Sequence, residues 1–434
     1  MPFSPPEEEL TQAVIDLKSS NPQLGISKVH ALLLRSYPDW VVSEKRTRKV
    51  LQSQGLIVSP TPSFFGIPEP AVYPSSSVIH SLDVHQWSAK IDVKYFNKKK
   101  GKGLVAISDI EEGETVWRED PFIIAPEWEI FDMQQKSTAC SYCTTPLLPD
   151  SPLVNPCTAS SSSSYCPARF CNRLCTARSG KTHPLVCPVQ NPASVPLIKY
   201  AKDIQWMALH ALTQCTSRIL QANQLKDPST LNSDWEIVTG LAELGLEDRF
   251  KYSFKSAASP EPDRPTWQKA FKLYIEAFKE PKSPQAKKKL DQILKNPLPA
   301  HIDAELFSYE GFLRGLGRMS LNLEAHGGLY AVHSHLNHSC DPNISVRHLD
   351  QRNSLSRITV IAKRPIKAGE ELLVTYVNPK LGFKARQDEL KGWGFGACIC
   401  SRCVEEAKMI SQAPATNDEL DDLESELKAG LGVV

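Results

Sequence analysis

Apolar residues fall at helical spacing near the start of the chain. Leu10, Val14 and Leu17 share one face, and Val29, Leu32 and Leu33 share another. Gly25 and Pro38 punctuate these stretches. A third helix is expected to begin at a Ser43 cap, carry Lys45, Arg46, Arg48 and Lys49, and stop at Gly55. Residues 1–58 therefore read as a helical module, either a small protein-docking bundle with a solvated basic face, which is the favoured reading, or a winged-helix-like reader of DNA, which its basic third helix resembles. The next stretch, residues 59–83, opens with SPTPSFFGIPEPAVYPSS, whose prolines and serines exclude regular helix and pair poorly in a sheet, so it reads as a linker. From Val84 the period changes to short alternating strands: Ser88 to Tyr95, Gly103 to Ile107 and Glu114 to Trp117, separated by glycine and charged turns.

A cysteine-rich block over residues 140–187, with a run of serines from Ser160 to Ser164, interrupts this strand pattern. Residues 196–325 return to a helical period, for example Ile204 to Leu220 with Trp206, Leu209 and Leu212 on one side. Strand-like alternation resumes at Leu329 and runs to Tyr376. The simplest organisation is an α+β, multidomain chain: a β-rich domain over residues 84–376, split by the cysteine module and by a helical insertion. Residues 390–405 hold a second cysteine-rich segment. The acidic tail, residues 406–434, contains a helix candidate from Asn417 to Lys428 with Leu420, Leu423 and Leu427 on a narrow stripe.

The 434 residues suffice for two or three domains, and 41% hydrophobic with 23% charged content is that of a globular protein. Lys+Arg 50 against Asp+Glu 49 leaves a net charge of +1, so no global field draws the chain to nucleic acid or to anionic lipid. The opening MPFSPPEEEL has neither a basic start nor an apolar segment, and no long apolar run follows, so neither secretion nor membrane insertion is expected. The twelve cysteines are then expected in a reducing compartment, where zinc rather than disulfide explains them. Cys140-x2-Cys143, Cys171-x3-Cys175, His183-x3-Cys187 and Cys398-x-Cys400-x2-Cys403 are short-loop pairs of the kind that present two ligands to one tetrahedral ion. Cys215 stands outside every cluster and reads as a core residue.

The most informative stretch is Asn337-His338-Ser339-Cys340-Asp341-Pro342-Asn343, followed by Gly369-Glu370-Glu371-Leu-Leu-Val-Thr375-Tyr376. Together these resemble the signature of the SET family, which moves a methyl group from S-adenosylmethionine to a lysine amine. Such a displacement needs donor and amine held in line on opposite sides of a narrow channel. It also needs a neutral amine, which an apolar, aromatic channel favours. The resemblance makes Tyr376 the catalytic residue, orienting the amine. It places Asn337 and His338 on the cofactor, His338 through its backbone. The upstream Lys100-Gly101-Lys102-Gly103-Leu104 resembles the family's first cofactor loop, so Gly101 and Lys102 join the cofactor set, and Phe395, with Trp393 near it, is expected to line the channel or stack on the adenine.

The cysteine block resembles a MYND finger inserted in the SET fold. By that resemblance Cys140, Cys143, Cys171 and Cys175 hold one zinc, and Cys157, Cys166, His183 and Cys187 a second. A Ser-rich loop separates Cys157 from Cys166, where the family pattern is shorter. Cys398, Cys400 and Cys403 supply only three ligands for a third ion, and Cys340, inside the cofactor motif, completes the set in the family's post-SET arrangement. The whole is similar to the SET-and-MYND lysine methyltransferases, closest to a small fungal branch that methylates histone H4. The resemblance implies a histone-lysine methyltransferase acting on H4 tail lysines, using S-adenosylmethionine and three structural zinc ions, in the nucleus and on chromosomes with some cytoplasmic residence, and affecting chromatin and gene expression. A contact between the N-terminal module and nucleosomal DNA, and a proline-rich peptide on the MYND finger, are further expected partners. The alternatives are a catalytically inactive zinc scaffold binding proline-rich peptides or DNA, and a methyltransferase of non-histone lysines.

Overall fold

The computed structural model describes residues 3–21, 25–53, 72–148, 150–225, 227–251, 262–349, 355–394 and 396–412. The expected stop at Gly55, most of the linker, Phe395 and the helix candidate of the acidic tail lie outside these residues. The chain divides into two units, Met1–Glu69 and Pro70–Val434. No helix among the described residues is long and apolar enough to cross a membrane.

In the first unit three helices, α1 (Glu7–Ser20), α2 (Ile26–Ser36) and α3 (Glu44–Ser53), bury Leu10, Val14, Val29, Leu33, Val50 and Leu51 against one another. Each such aliphatic side chain contributes about 1.5–3 kcal/mol on leaving water. Ser43 caps α3, its Oγ accepting from the Arg46 amide at 3.2 Å. The third helix is less free than its sequence implies. Arg46 donates to Glu7 Oε2 at 2.9 Å, to Ser4 Oγ at 2.7 Å and to the Pro5 carbonyl at 2.8 Å, so it fastens α3 to the start of α1.

Among its described residues the second unit has eleven strands: β1 (Ile91–Asn97), β2 (Gly101–Ala106), β3 (Thr115–Glu119), β4 (Ile123–Ile124), β5 (Asn155–Pro156), β6 (Arg169–Phe170), β7 (Gly328–Leu329), β8 (Asn337–His338), β9 (Ile344–Arg347), β10 (Ile358–Ala362) and β11 (Glu371–Val374). One sheet has the order β1-β2-β11-β8 and another β3-β10-β9. Strands from before residue 125 thus pair with strands from after residue 327. Leu104, Trp117, Ile358, Val360 and Leu372 form the centre of the shared core. The short antiparallel pair of β4 with β7, Ile123 opposite Leu329, closes the neck of everything inserted between. Loop-closure entropy grows only logarithmically with loop length, so such a long insertion is compatible with a stable sheet.

The insertion begins with α4 (Trp128–Gln135) and the cysteine module, where β5 and β6 pair beside α5 (Arg173–Ser179) and α6 (His183–Val186). It continues as α7 (Val195–Asp203), α8 (Met207–Ala222), α9 (Pro228–Gly240), α10 (Leu246–Lys251), α11 (Arg264–Phe278), α12 (Pro284–Ile293), α13 (Ala300–Phe307) and α14 (Tyr309–Asn322). Helix α8 is buried on nearly every side, as its small and apolar residues permit. The helix expected from Ile204 to Leu220 is present as α8 but starts three residues later, at Met207, because Gln205 takes a φ of 55° after α7 ends at Asp203. The described residues end with α15 (Phe383–Leu390) and α16 (Ser401–Gln412).

Candidate functional site

Parallel pairing of β8 with β11 sets Asn337 opposite Leu373 and His338 opposite Val374. The two motifs, far apart in sequence, are therefore side by side. A cavity of about 550 Å³ opens against them, lined among others by Lys102, Glu324, Asn337, His338, Tyr376 and Trp393. Asn337 Nδ2 donates to the Lys102 carbonyl and to Glu371 Oε1, each at 2.9 Å, which joins β8 to β2 and β11. Glu371 also pairs with Lys100. A Cβ on Gly103 would lie 2.7 Å from the Phe96 ring, 2.8 Å from Asn337 Nδ2 and 2.9 Å from Glu371 Oε1. The absent side chain is what lets these groups converge. Gly101, at φ 71°, turns the chain into β2.

Tyr376 leaves β11 and turns toward this cavity. Its hydroxyl donates to the Leu336 carbonyl at 2.6 Å, and its ring lies 5.3 Å from His338 and 4.5 Å from Trp393 between centroids. His338 Nδ1 accepts from the Tyr376 amide at 3.0 Å, so Nε2 carries the proton and faces Cys340 Sγ at 3.3 Å. Burial, then the negative charges of Glu324 and Glu371, push the Tyr376 phenol above its ordinary range, and it stays protonated. Lys102 is 3% exposed, with Nζ donating to the Gly240 carbonyl at 2.8 Å. Burial alone pulls its ammonium down to about 7.

Two acidic residues that sequence reasoning did not single out organise the site. Glu371 is one, as described. The other is Glu119, buried on β3, whose carboxylate accepts from the amides of Val332 at 2.8 Å and His333 at 3.1 Å and from Trp117 Nε1 at 3.2 Å. It pins the turn that delivers Asn337, and burial raises its pKa to about 7 against the pull of these donors. Nothing in the local pattern marks Glu119, because apart from Trp117 its partners are backbone amides two hundred residues away. Asn343 could have been read from the motif: its side chain donates to the Glu371 carbonyl at 2.9 Å and accepts from the Leu373 amide at 2.8 Å.

The described residues contain three groups of four metal-ligating side chains: Cys140, Cys143, Cys171, Cys175; Cys157, Cys166, His183, Cys187; and Cys340, Cys398, Cys400, Cys403. Within each group the donor atoms all lie within 4.8 Å of one another. Cys171 Sγ is 3.4 Å from Cys175, Cys157 is 3.9 Å from Cys187, and Cys340 is 3.5 Å from Cys403. These separations are far too long for a disulfide and match thiolates about 2.3 Å from a shared tetrahedral zinc. All three sets are closed and could hold structural ions. The serine loop before Cys166 folds back on itself, with Ser160 Oγ accepting from the Cys166 amide at 2.9 Å, so it leaves that thiol with its group. Around the third group, Gln387 bonds both backbone groups of Cys398, and the buried Arg386 donates to Cys403 Sγ at 3.8 Å while pairing with Glu406.

Comparison with known proteins adds the following. The family model described as the SET domain matches residues 101–377. Histone-lysine N-methyltransferase SET5 of Yarrowia lipolytica (strain CLIB 122 / E 150) is 28% identical over 417 residues, covering 93% of this chain and 83% of its own. The protein of the same name from Candida albicans (strain SC5314 / ATCC MYA-2876) is 27% identical, covering 96% and 85%. Among solved structures, the SET domain of LSMT bound to lysine and AdoHcy aligns at 12% identity over 80% of this chain and 55% of that one, with a TM-score of 0.29, too loose a likeness to bear on function.

Proposed function

The chain belongs to the SET domain family, and from that premise we propose that it is a protein-lysine N-methyltransferase whose substrate is a histone, with the H4 tail preferred. The observation that carries the reading is the parallel pairing of β8 with β11, which puts Asn337, His338 and Tyr376 around one cavity. S-adenosylmethionine supplies an electrophilic methyl group when bound. The cavity wall of Lys100, Lys102, Asn337 and His338 suits such a ligand, with Gly103 leaving room for Asn337 and Glu371 to converge behind it. Phe395, outside the described residues, is assigned no geometry.

Tyr376 donates its proton to the Leu336 carbonyl, and a phenol oxygen that donates in this way can still accept from an incoming amine. It would orient the amine lone pair along the line of transfer and stabilise the positive charge that the amine nitrogen acquires. Because its phenol is held protonated, Tyr376 is not the base. The amine proton leaves before transfer, favoured by the partly aromatic wall of Tyr376 and Trp393. The cysteine module is assigned as a MYND-type finger. The third cluster is assigned as a post-SET zinc that ties residues 393–403 beside Tyr376, Cys340 being the ligand supplied by the cofactor motif itself.

A nuclear, chromosome-bound location follows from this substrate, with effects on chromatin and gene expression. A contact of the N-terminal module with nucleosomal DNA would rest on Lys45, Arg48 and Lys49, since Arg46 is engaged internally. The test is incubation with S-adenosylmethionine and each core histone separately, then nucleosomes, with methyl-lysines located by mass spectrometry. Methylation confined to H4 supports the preferred substrate. Methylation of another core histone instead moves the assignment within the histones, and none on any histone moves it to non-histone proteins.

A further inference from the structure

A second cavity, of about 350 Å³, shares no lining residue with the one around Tyr376. Its walls come from β4, α4, the cysteine module, α7 and α8. Phe122, Ile124, Phe131, Tyr142 and Ile198 make it apolar, while Arg178, Lys181, Lys199, Lys202 and Arg218 also line it. No Asp or Glu is among its lining residues.

The carboxylates behind these cations do not balance them. Asp120 is shared by Arg178 at 3.1 Å and Arg357 at 2.8 Å, Asp234 holds Arg218 at 2.7 Å, and Asp132 pairs with Lys202. Three carboxylates thus hold four cations, Arg357 from outside the cavity among them, and neither Lys181 nor Lys199 has an ion pair among the described residues. A basic histone tail would be repelled here, so this cavity serves something other than the histone substrate.

A buried donor points the same way. His210 is 1% exposed, lines the cavity, and stacks on Trp128 at 5.2 Å. Burial lowers its pKa to about 4, so the ring is neutral. Nε2 faces the Gln214 side-chain amide nitrogen at 3.3 Å and accepts from it, which leaves the proton on Nδ1. That buried N–H has no acceptor in the protein. Unsatisfied buried donors are uncommon, and this one belongs to a residue of the cavity wall, whose cations favour an anionic oxygen as its acceptor.

We propose that this cavity is a second ligand site, taking a carboxylate carried on an apolar body, with His210 and the Lys181–Lys199 pair reading the carboxylate and the aromatic walls holding the apolar part. The carboxylate can come from a small molecule or from an acidic residue beside an apolar one in a peptide, and the probes separate these sources. The full chain, zinc-loaded, is titrated calorimetrically with octanoate, octylamine and octanol, and by fluorescence anisotropy with labelled Glu-Leu and Lys-Leu repeat peptides. The expected result is binding of octanoate, of the Glu-Leu peptide or of both, at least tenfold tighter than their neutral or cationic counterparts. Lys181→Glu with Lys199→Glu should weaken it at least tenfold with histone methylation unchanged. His210→Phe, which keeps the ring but removes the N–H, gives an independent reading and should weaken it about fivefold. Circular dichroism and zinc content identify any variant that fails to fold. Equal binding of anionic and cationic probes, or full affinity in both folded variants, overturns the proposal.

Discussion

Replacing Lys102 by methionine tests how the cavity beside Tyr376 is held, because this lysine is buried with one hydrogen bond and no carboxylate partner among the described residues. Its ammonium titrates near 7 in the folded chain and near 10.5 when exposed. Between these values the unfolded chain binds a proton that the folded chain does not, so stability rises with pH. Linkage over that interval gives roughly 2 kcal/mol of added stability for the native sequence between pH 7 and pH 9. Methionine has no such dependence. It removes the buried ammonium and the bond to Gly240, so the variant compares best with the native protein at pH 7 and below, and loses ground as pH rises. Urea unfolding at pH 6.5, 7, 8 and 9, on both proteins with zinc present, measures the difference directly. Parallel profiles, with a gap constant to within about 0.5 kcal/mol, would refute the reasoning and place water or an unrecognised acceptor on Nζ.

Gly103→Ala should cut S-adenosylmethionine affinity at least tenfold by calorimetry, because its Cβ would press on Asn337 Nδ2 and Glu371 Oε1; unchanged affinity would mean that the network they form does not shape the cofactor site. Metal analysis of the full chain should find three zinc ions, and Cys403→Ser should lower this to two, the lost ion belonging to the cluster with Cys340; a count of three in the variant contradicts the grouping. Loss of that ion should also lower methyl transfer more than S-adenosylmethionine affinity, read as kcat against Kd, since it frees Trp393 from Tyr376; equal losses would mean that the segment serves cofactor binding instead.

Periodicity revealed most elements whose signal lies within ten or twenty residues. The stripes of α1 and α2 are where the apolar spacing puts them, and Ser43 caps α3 as its identity suggests. The strand edges shift by a few residues: β1 runs on to Asn97 and β2 begins at Gly101, because a hairpin through Lys98–Lys100 sets their register. Ligand spacing marked the cysteine pairs, but which pairs share a centre follows from long-range folding and was implied by family resemblance, not by spacing. The same limit hid Glu119 and Glu371, whose partners are distant backbone and side-chain groups, and the tie from Arg46 to Glu7, which turned an expected surface charge into a packing contact. Gln205 set the start of α8 three residues later than the apolar spacing suggests, since a non-glycine residue at positive φ carries no sequence signal.

The most direct test of the central claim is transfer of labelled methyl from S-adenosylmethionine to core histones by the native chain and by Tyr376→Phe, with cofactor affinity measured on both. The account predicts label on histone with the native chain, at least a hundredfold loss of kcat in the variant, and cofactor affinity within about threefold, since the lost hydroxyl acts on the transferring methyl and the amine. Native-level transfer by a folded Tyr376→Phe chain, or failure of the native chain to bind S-adenosylmethionine at all, would contradict it.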